Sequence, residues 1–145
     1  MAAEKEIGMG LRAKLIAVAL LIAPPAAAQF APLQPLNLKE VDPSLVGDIF
    51  GTWEIRDRNG KKRCRIVLKK EQAIGGYAIE AADNCKQTFP VMDEIAGWRL
   101  LEGWTIDLID VTRKTRVRFS TPDERYVAIP EIDGIAHLVK PAKRK

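Results

Sequence analysis

From Gly51 onward, apolar residues recur at every second position. "GTWEIRD" sets Trp53 and Ile55 against Thr52, Glu54 and Arg56, and "RCRIVLKK" sets Cys64, Ile66 and Leu68 against Arg63, Arg65 and Lys69. A period of two sends successive side chains to opposite faces of a strand, so each stretch predicts a strand with one buried and one wet face. The alternation returns in "YAIEA" (Tyr77, Ile79 and Ala81 together), "AGWRLL", "WTIDLID", "TRVRFS" (Val117 and Phe119 opposite Arg116 and Arg118), "RYVAIP" and "IAHLVK". Turn signals separate them: Asn59-Gly60 within "RNGK", Gly75-Gly76, Glu102-Gly103 and Asp133-Gly134. Asp83 to Glu94 is the one long irregular connection. No window after Phe50 keeps a 3.6-residue period for three turns, so the pattern predicts an all-β fold: a small eight-stranded antiparallel up-and-down barrel. Closure leaves no open sheet edge, and strands this short predict an interior filled by side chains.

The chain ahead of the barrel divides into three parts. Asp42-Pro43-Ser44 is a helix start, with Asp42 as N-cap and Pro43 at the first position. The following "SLVGDIF" is one or two turns that offer Leu45, Val46, Ile49 and Phe50 to one end of the core. Residues 29–42 contain Pro32 and Pro35 and hold neither period; they read as an extended arm of about 14 residues, roughly 45 Å long at full stretch. Residues 1–28 have the form of a signal peptide: Arg12 and Lys14, the apolar run Leu15–Ala23, the breakers Pro24 and Pro25, and small residues Ala26–Ala28 at the cleavage point. An apolar run of about nine residues is too short to span a bilayer. "MAAEKEIG" is acidic for the start of such a leader, which marks Met9 as an alternative start. The expected organisation is therefore a signal peptide over 1–28, an arm over 29–42 and a barrel domain over 43–145, in a chain exported to the periplasm or beyond.

Cleavage after Ala28 would remove three of the 23 basic and two of the 19 acidic residues and leave a net charge of +3. That balance does not by itself indicate nucleic acid. Export also bears on Cys64 and Cys85, the two cysteines of the chain: an oxidising compartment favours a disulfide between them. A half metal site or a redox pair needs partners that are missing, since His137 is the single histidine and there is no C-x-x-C. Nucleophilic catalysis is poorly supplied, because only Ser44 and Ser120 follow the leader and His137 sits in a terminal strand pattern. The carboxylate pairs Asp107/Asp110 and Asp123/Glu124 read as solvated partners of Arg and Lys. The basic stretches "KKRCRIVLKK", "RKTRVR" and "KPAKRK" lack an aromatic stacking face, because Trp53, Trp98, Trp104, Tyr77 and Phe119 mostly occupy core positions.

Gly51-x-Trp53 at the head of the first strand resembles the start of lipocalin-type barrels. Together with the Cys64/Cys85 pair, "GWRLLEGWTIDLID", "VRFS" and the lysine-rich end "DGIAHLVKPAKRK", it resembles the bacterial alkaline protease inhibitors, periplasmic inhibitors of serralysin-type zinc metalloproteases. The resemblance covers roughly Ser44 to Lys145 and rests on Gly51, Trp53, Gly97, Trp98 and Arg99 with the disulfide. It implies a non-enzymatic monomer that needs no cofactor or metal of its own. It also implies a protease as partner; the residues themselves give no expectation of nucleic acid or of stable membrane insertion. The barrel would seat on the rim of the protease active site while the N-terminal arm, Gln29, Phe30, Ala31, Pro32 and Leu33, enters the cleft. The family trunk is short and begins with a small residue, whereas cleavage here would expose Gln29 on a longer arm. Two other readings stand beside it: a lipocalin-like carrier of a small apolar ligand, which needs an interior cavity, and an envelope adaptor whose basic face meets acidic lipid or polysaccharide.

Overall fold

The computed structural model describes residue 20 and residues 30–142. The signal peptide expected over 1–28 (Leu20 apart), Gln29 at the head of the arm, and Lys143 to Lys145 lie outside the described residues. Eight antiparallel strands close on themselves in sequence order. They are β1 (Gly51–Arg56), β2 (Arg63–Ala73), β3 (Gly76–Ala81), β4 (Gly97–Leu101), β5 (Thr105–Ile109), β6 (Thr115–Ser120), β7 (Tyr126–Ile132) and β8 (Ile135–Val139). Each lies within the alternating stretches or extends them by a few residues. The longest extension is in β2, which runs on to Ala73 and joins β3 through Gly75. The first turn is the Asn59-Gly60 one, with the Gly60 N–H donating to the Asp57 carbonyl at 3.1 Å. Closure is made by β1 against β8, Ile55 opposite Leu138.

Most inward positions are those the alternation assigns; Ala81, grouped with Tyr77 and Ile79, is exposed at the end of β3, and β8 buries Ile135 as well as Ala136 and Leu138. Trp98, Phe119, Ile55, Ile66, Leu68, Ile106, Leu108, Val117, Ile135 and Leu138 are all fully buried. Burying each such side chain stabilises the fold by about 1.5–3 kcal/mol relative to exposure. Large side chains thus occupy the interior, which counts against the ligand cavity that a carrier needs. The filled core also fits the small radius of an eight-stranded closure.

Two segments differ from the sequence expectation. Asp83 to Glu94 is not irregular throughout: α2 (Cys85–Thr88) and a 3-10 turn (Pro90–Glu94) cover one end of the barrel. Phe89 between them is fully buried, with Val91 and Met92 beside it. Single turns of helix are too short to show a period, which is why alternation missed them. The second difference is in α1 (Pro43–Gly47). The Asp42 side chain caps it as expected, accepting from the Ser44 N–H at 2.8 Å and the Ser44 hydroxyl at 2.7 Å. Those bonds hold the Asp42 carboxyl below its ordinary pKa. Five residues turn only one side inward, so Val46 is buried and Leu45 is exposed; Ile49 and Phe50 reach the core after the helix ends.

Cys64 and Cys85 form a disulfide that fastens α2 to β2 across a separation of 21 residues. The weakest joint of the barrel is β3 against β4, where Tyr77 opposite Trp98 is the single paired position. Strand backbones come unusually close here: a Cβ on Gly76 would collide with the Trp98 carbonyl, and one on Gly97 would lie 2.9 Å from the Tyr77 carbonyl oxygen. Only glycine permits that approach.

Candidate functional site

The arm is not free of the barrel. Between Gln34 and Leu36 it runs antiparallel to the end of β4, with Pro35 opposite Leu101. The Leu36 N–H donates to the Leu100 carbonyl at 3.1 Å, and the Glu102 N–H donates to the Gln34 carbonyl at 2.8 Å. The Gln34 N–H donates to the Glu102 side chain at 3.2 Å. These contacts follow from the short β3–β4 pairing, which leaves the last backbone groups of β4 in need of partners. Leu36 and Val41 pack against the edge of the core, and a turn at Asn37–Glu40 then leads into α1.

Further out, the arm lies over a row of charges on the outer face. Arg99, Asp107 and Arg118 are consecutive cross-strand partners on β4, β5 and β6. Asp107 is fully buried. It accepts from Arg118 Nε at 2.7 Å and Nη2 at 2.9 Å, and from the Thr115 hydroxyl at 2.6 Å. Arg99 donates through Nη2 to the Thr115 hydroxyl at 3.0 Å and stands 3.8 Å from the Asp107 carboxylate. The remaining nitrogen of Arg118, Nη1, donates to the Ala31 carbonyl at 2.7 Å, and the guanidinium lies 5.3 Å from the centre of the Phe30 ring. Hydrogen bonding to Asp107 raises the pKa of Arg118 above its ordinary value. Asp107 does pair with an arginine, as the sequence suggested, but the pair is buried and not solvated. Asp110 sits apart in the β5–β6 turn, where bonds from Thr112 and Lys114 lower its pKa.

The sequence-derived site residues fall into two groups. Phe30 and Leu33 are half-buried against the barrel, and Ala31 and Pro32 are exposed beside them. Arg99 lies beneath the arm. Gly51 opens β1 opposite Leu68, and Trp53 is a buried support of the barrel, not part of the arm contact. Its indole N–H donates to the Ile49 carbonyl at 2.7 Å, and its ring packs edge-on to Tyr126 with Lys140 Nζ 4.2 Å from its centre. Trp98 and Gly97 belong to the β3–β4 joint, where Trp98 packs against Tyr77 and Phe50 at 4.9 and 5.6 Å between ring centres. Asp107, Arg118 and Glu102 are the residues that sequence reasoning missed. For Asp107 and Arg118 the available signal was opposite charge at outward positions of neighbouring strands; Glu102, in the turn after β4, carried none. Among the described residues, no three His, Cys, Asp or Glu side chains gather as a metal site.

The geometry defines a class: a small disulfide-stapled β-barrel with a filled core, which carries an extended strap on its outer face. The family is then set by comparison. The model of the family "protease inhibitor Inh" matches residues 44–139, and the chain belongs to that family. Inhibition, with a protease as the partner, is the role that this membership supports. The matched span covers the barrel and stops short of the arm. No curated protein matches the chain closely enough to add a relative to that finding.

Proposed function

We propose that this protein inhibits a secreted zinc metalloprotease of the serralysin type. In this reading the leader is removed on export to the periplasm, the barrel seats on the rim of the protease cleft, and Gln29 to Leu33 enter it. The zinc is the protease's own; this chain supplies an obstruction rather than a reaction.

The observation that carries the reading is the state of the arm. Phe30 to Leu36 is laid out along the barrel, with Ala31, Pro32, Gln34 and Pro35 exposed to a partner. Proteases bind substrates as extended chains. A segment already extended, with φ locked at two prolines, loses little further entropy when it occupies a cleft. The barrel contributes rigidity: its core and disulfide hold the seat from which the arm starts.

The test pairs the mature protein with a serralysin-type enzyme and with serine, cysteine and aspartic proteases, and measures residual activity. Inhibition confined to the metalloprotease is expected. A chain lacking residues 29–33 keeps the buried core and the Cys64–Cys85 bridge, so it should hold its thermal midpoint within a few degrees while losing inhibition by at least 100-fold. Full inhibition by that shortened chain would sink the arm mechanism, and selective inhibition of a serine protease would sink the target class.

A further inference from the structure

An ion pair on the outer face of a barrel is ordinarily wet. Asp107 and Arg118 point outward, yet Asp107 is fully buried beneath Arg118 and Thr115, and Arg118, on which the arm is seated, is 8% exposed. Taking two charges out of water is costly and is offset only when nearly every donor and acceptor is satisfied. Here the satisfaction includes the arm: Arg118 spends two N–H groups on Asp107 and turns a third to the Ala31 carbonyl. The Phe30 ring lies against the same guanidinium. A second anchor, the backbone pairing of Gln34 and Leu36 with β4, lies three to five residues further along. One anchor leaves a chain free to pivot, whereas two separated anchors fix its direction.

Resting on the reading that the arm is the inhibitory segment, we propose that Arg118, oriented by Asp107, is the positioning residue that sets the arm's course before a protease is met. A guanidinium suits this task because its planar fork can hold a carboxylate with one edge and a carbonyl with another. An ammonium at the same place offers a point charge and cannot hold both in fixed directions. The consequence for inhibition follows from populations. If only a fraction of molecules hold the arm on course, the apparent affinity for the protease falls by that fraction.

The experiment uses the full mature chain and two variants. Arg118→Lys keeps the charge opposite Asp107 and removes the fork. Phe30→Ala leaves the Asp107–Arg118 pair intact, so its folding is not at stake. Amide hydrogen exchange is followed at Gln34, Leu36 and Glu102, with Ile55 and Ile66 as barrel references, alongside the inhibition constant on the metalloprotease. Arg118→Lys should bring the three arm-contact amides close to the rate of an unprotected chain, with the references within twofold, and weaken inhibition at least tenfold; Phe30→Ala, whose side chain also enters the cleft, should speed the same amides and is read on exchange alone. A role confined to stability would speed the references as well. Unchanged arm exchange in Arg118→Lys overturns the positioning role, and so does faster arm exchange with undiminished inhibition. Failure of the underlying reading looks different: the chain lacking residues 29–33 would then inhibit fully, which overturns the inhibitory consequence of Arg118 whatever the exchange rates.

Discussion

Replacing Asp107 by Asn tests the outer-face charge row directly. The parent carboxylate is fully buried and accepts three short bonds, two from Arg118 and one from Thr115. Asparagine keeps the size but offers one oxygen, and its NH2 group faces donors wherever the second oxygen stood. Arg118 is then a buried cation with half its counter-acceptors gone. Breaking a buried pair in this way costs about 3–5 kcal/mol. The lower end applies here, because a single strand separates the pair from water. A loss of about 3 kcal/mol lowers the thermal midpoint of a domain this size by roughly 12–24 °C. The assay is urea unfolding followed by tryptophan fluorescence, with Asp107→Leu/Arg118→Met as the second chain. Replacing both partners by apolar residues of similar volume should return stability to within about 1 kcal/mol of the parent. The reasoning fails if Asp107→Asn costs less than about 1 kcal/mol, or if the double replacement is as unstable as the single one.

Three further outcomes are expected. Reducing the Cys64–Cys85 bridge, or replacing both cysteines by serine, should cost about 3 kcal/mol for a closed loop of this length, read as a lower urea midpoint with dithiothreitol. Gly76→Ala should destabilise by roughly 1–3 kcal/mol because its methyl group meets the Trp98 carbonyl, and the loss should appear as faster amide exchange across β3 and β4. Burial pushes the Tyr126 phenol up to about 12 from an ordinary 10.0, so the folded state keeps a proton that the unfolded state gives up. Stability from this group is therefore fully present below pH 10 and declines as pH rises toward 12, and ultraviolet titration should show one phenol ionising late.

The strands were legible because burial on one face leaves a direct trace in alternation, and eight such traces with short turns admit few other closures. The cover at one end was not. Phe89, Val91 and Met92 are core residues placed by single turns, and a single turn carries no period. Leu45 was misplaced for the same reason: five residues of helix present one inward position, which Val46 takes. The charge row was half legible. Alternation put Asp107 and Arg118 on the outside, and it is correct that they face outward; what it could not register is that another segment returns to cover Arg118. That cover is a tertiary fact, written in residues some 70–90 positions away. The arm itself carried no signal for docking, because its prolines break both periods.

Those prolines nevertheless have a positional logic. The N–H groups of Gln34 and Leu36 both face the barrel and are bonded there. Along an extended chain, the group between them faces away, and that position is Pro35, which has no N–H to offer. The proline thus removes no bond from the pairing with β4, and it denies a donor to any strand approaching from outside. An arm that covers the open end of β4 would otherwise become a new sticky edge. With proline at that register it docks on one side and resists strand addition on the other, and its carbonyls and side chains are left as its outward chemistry.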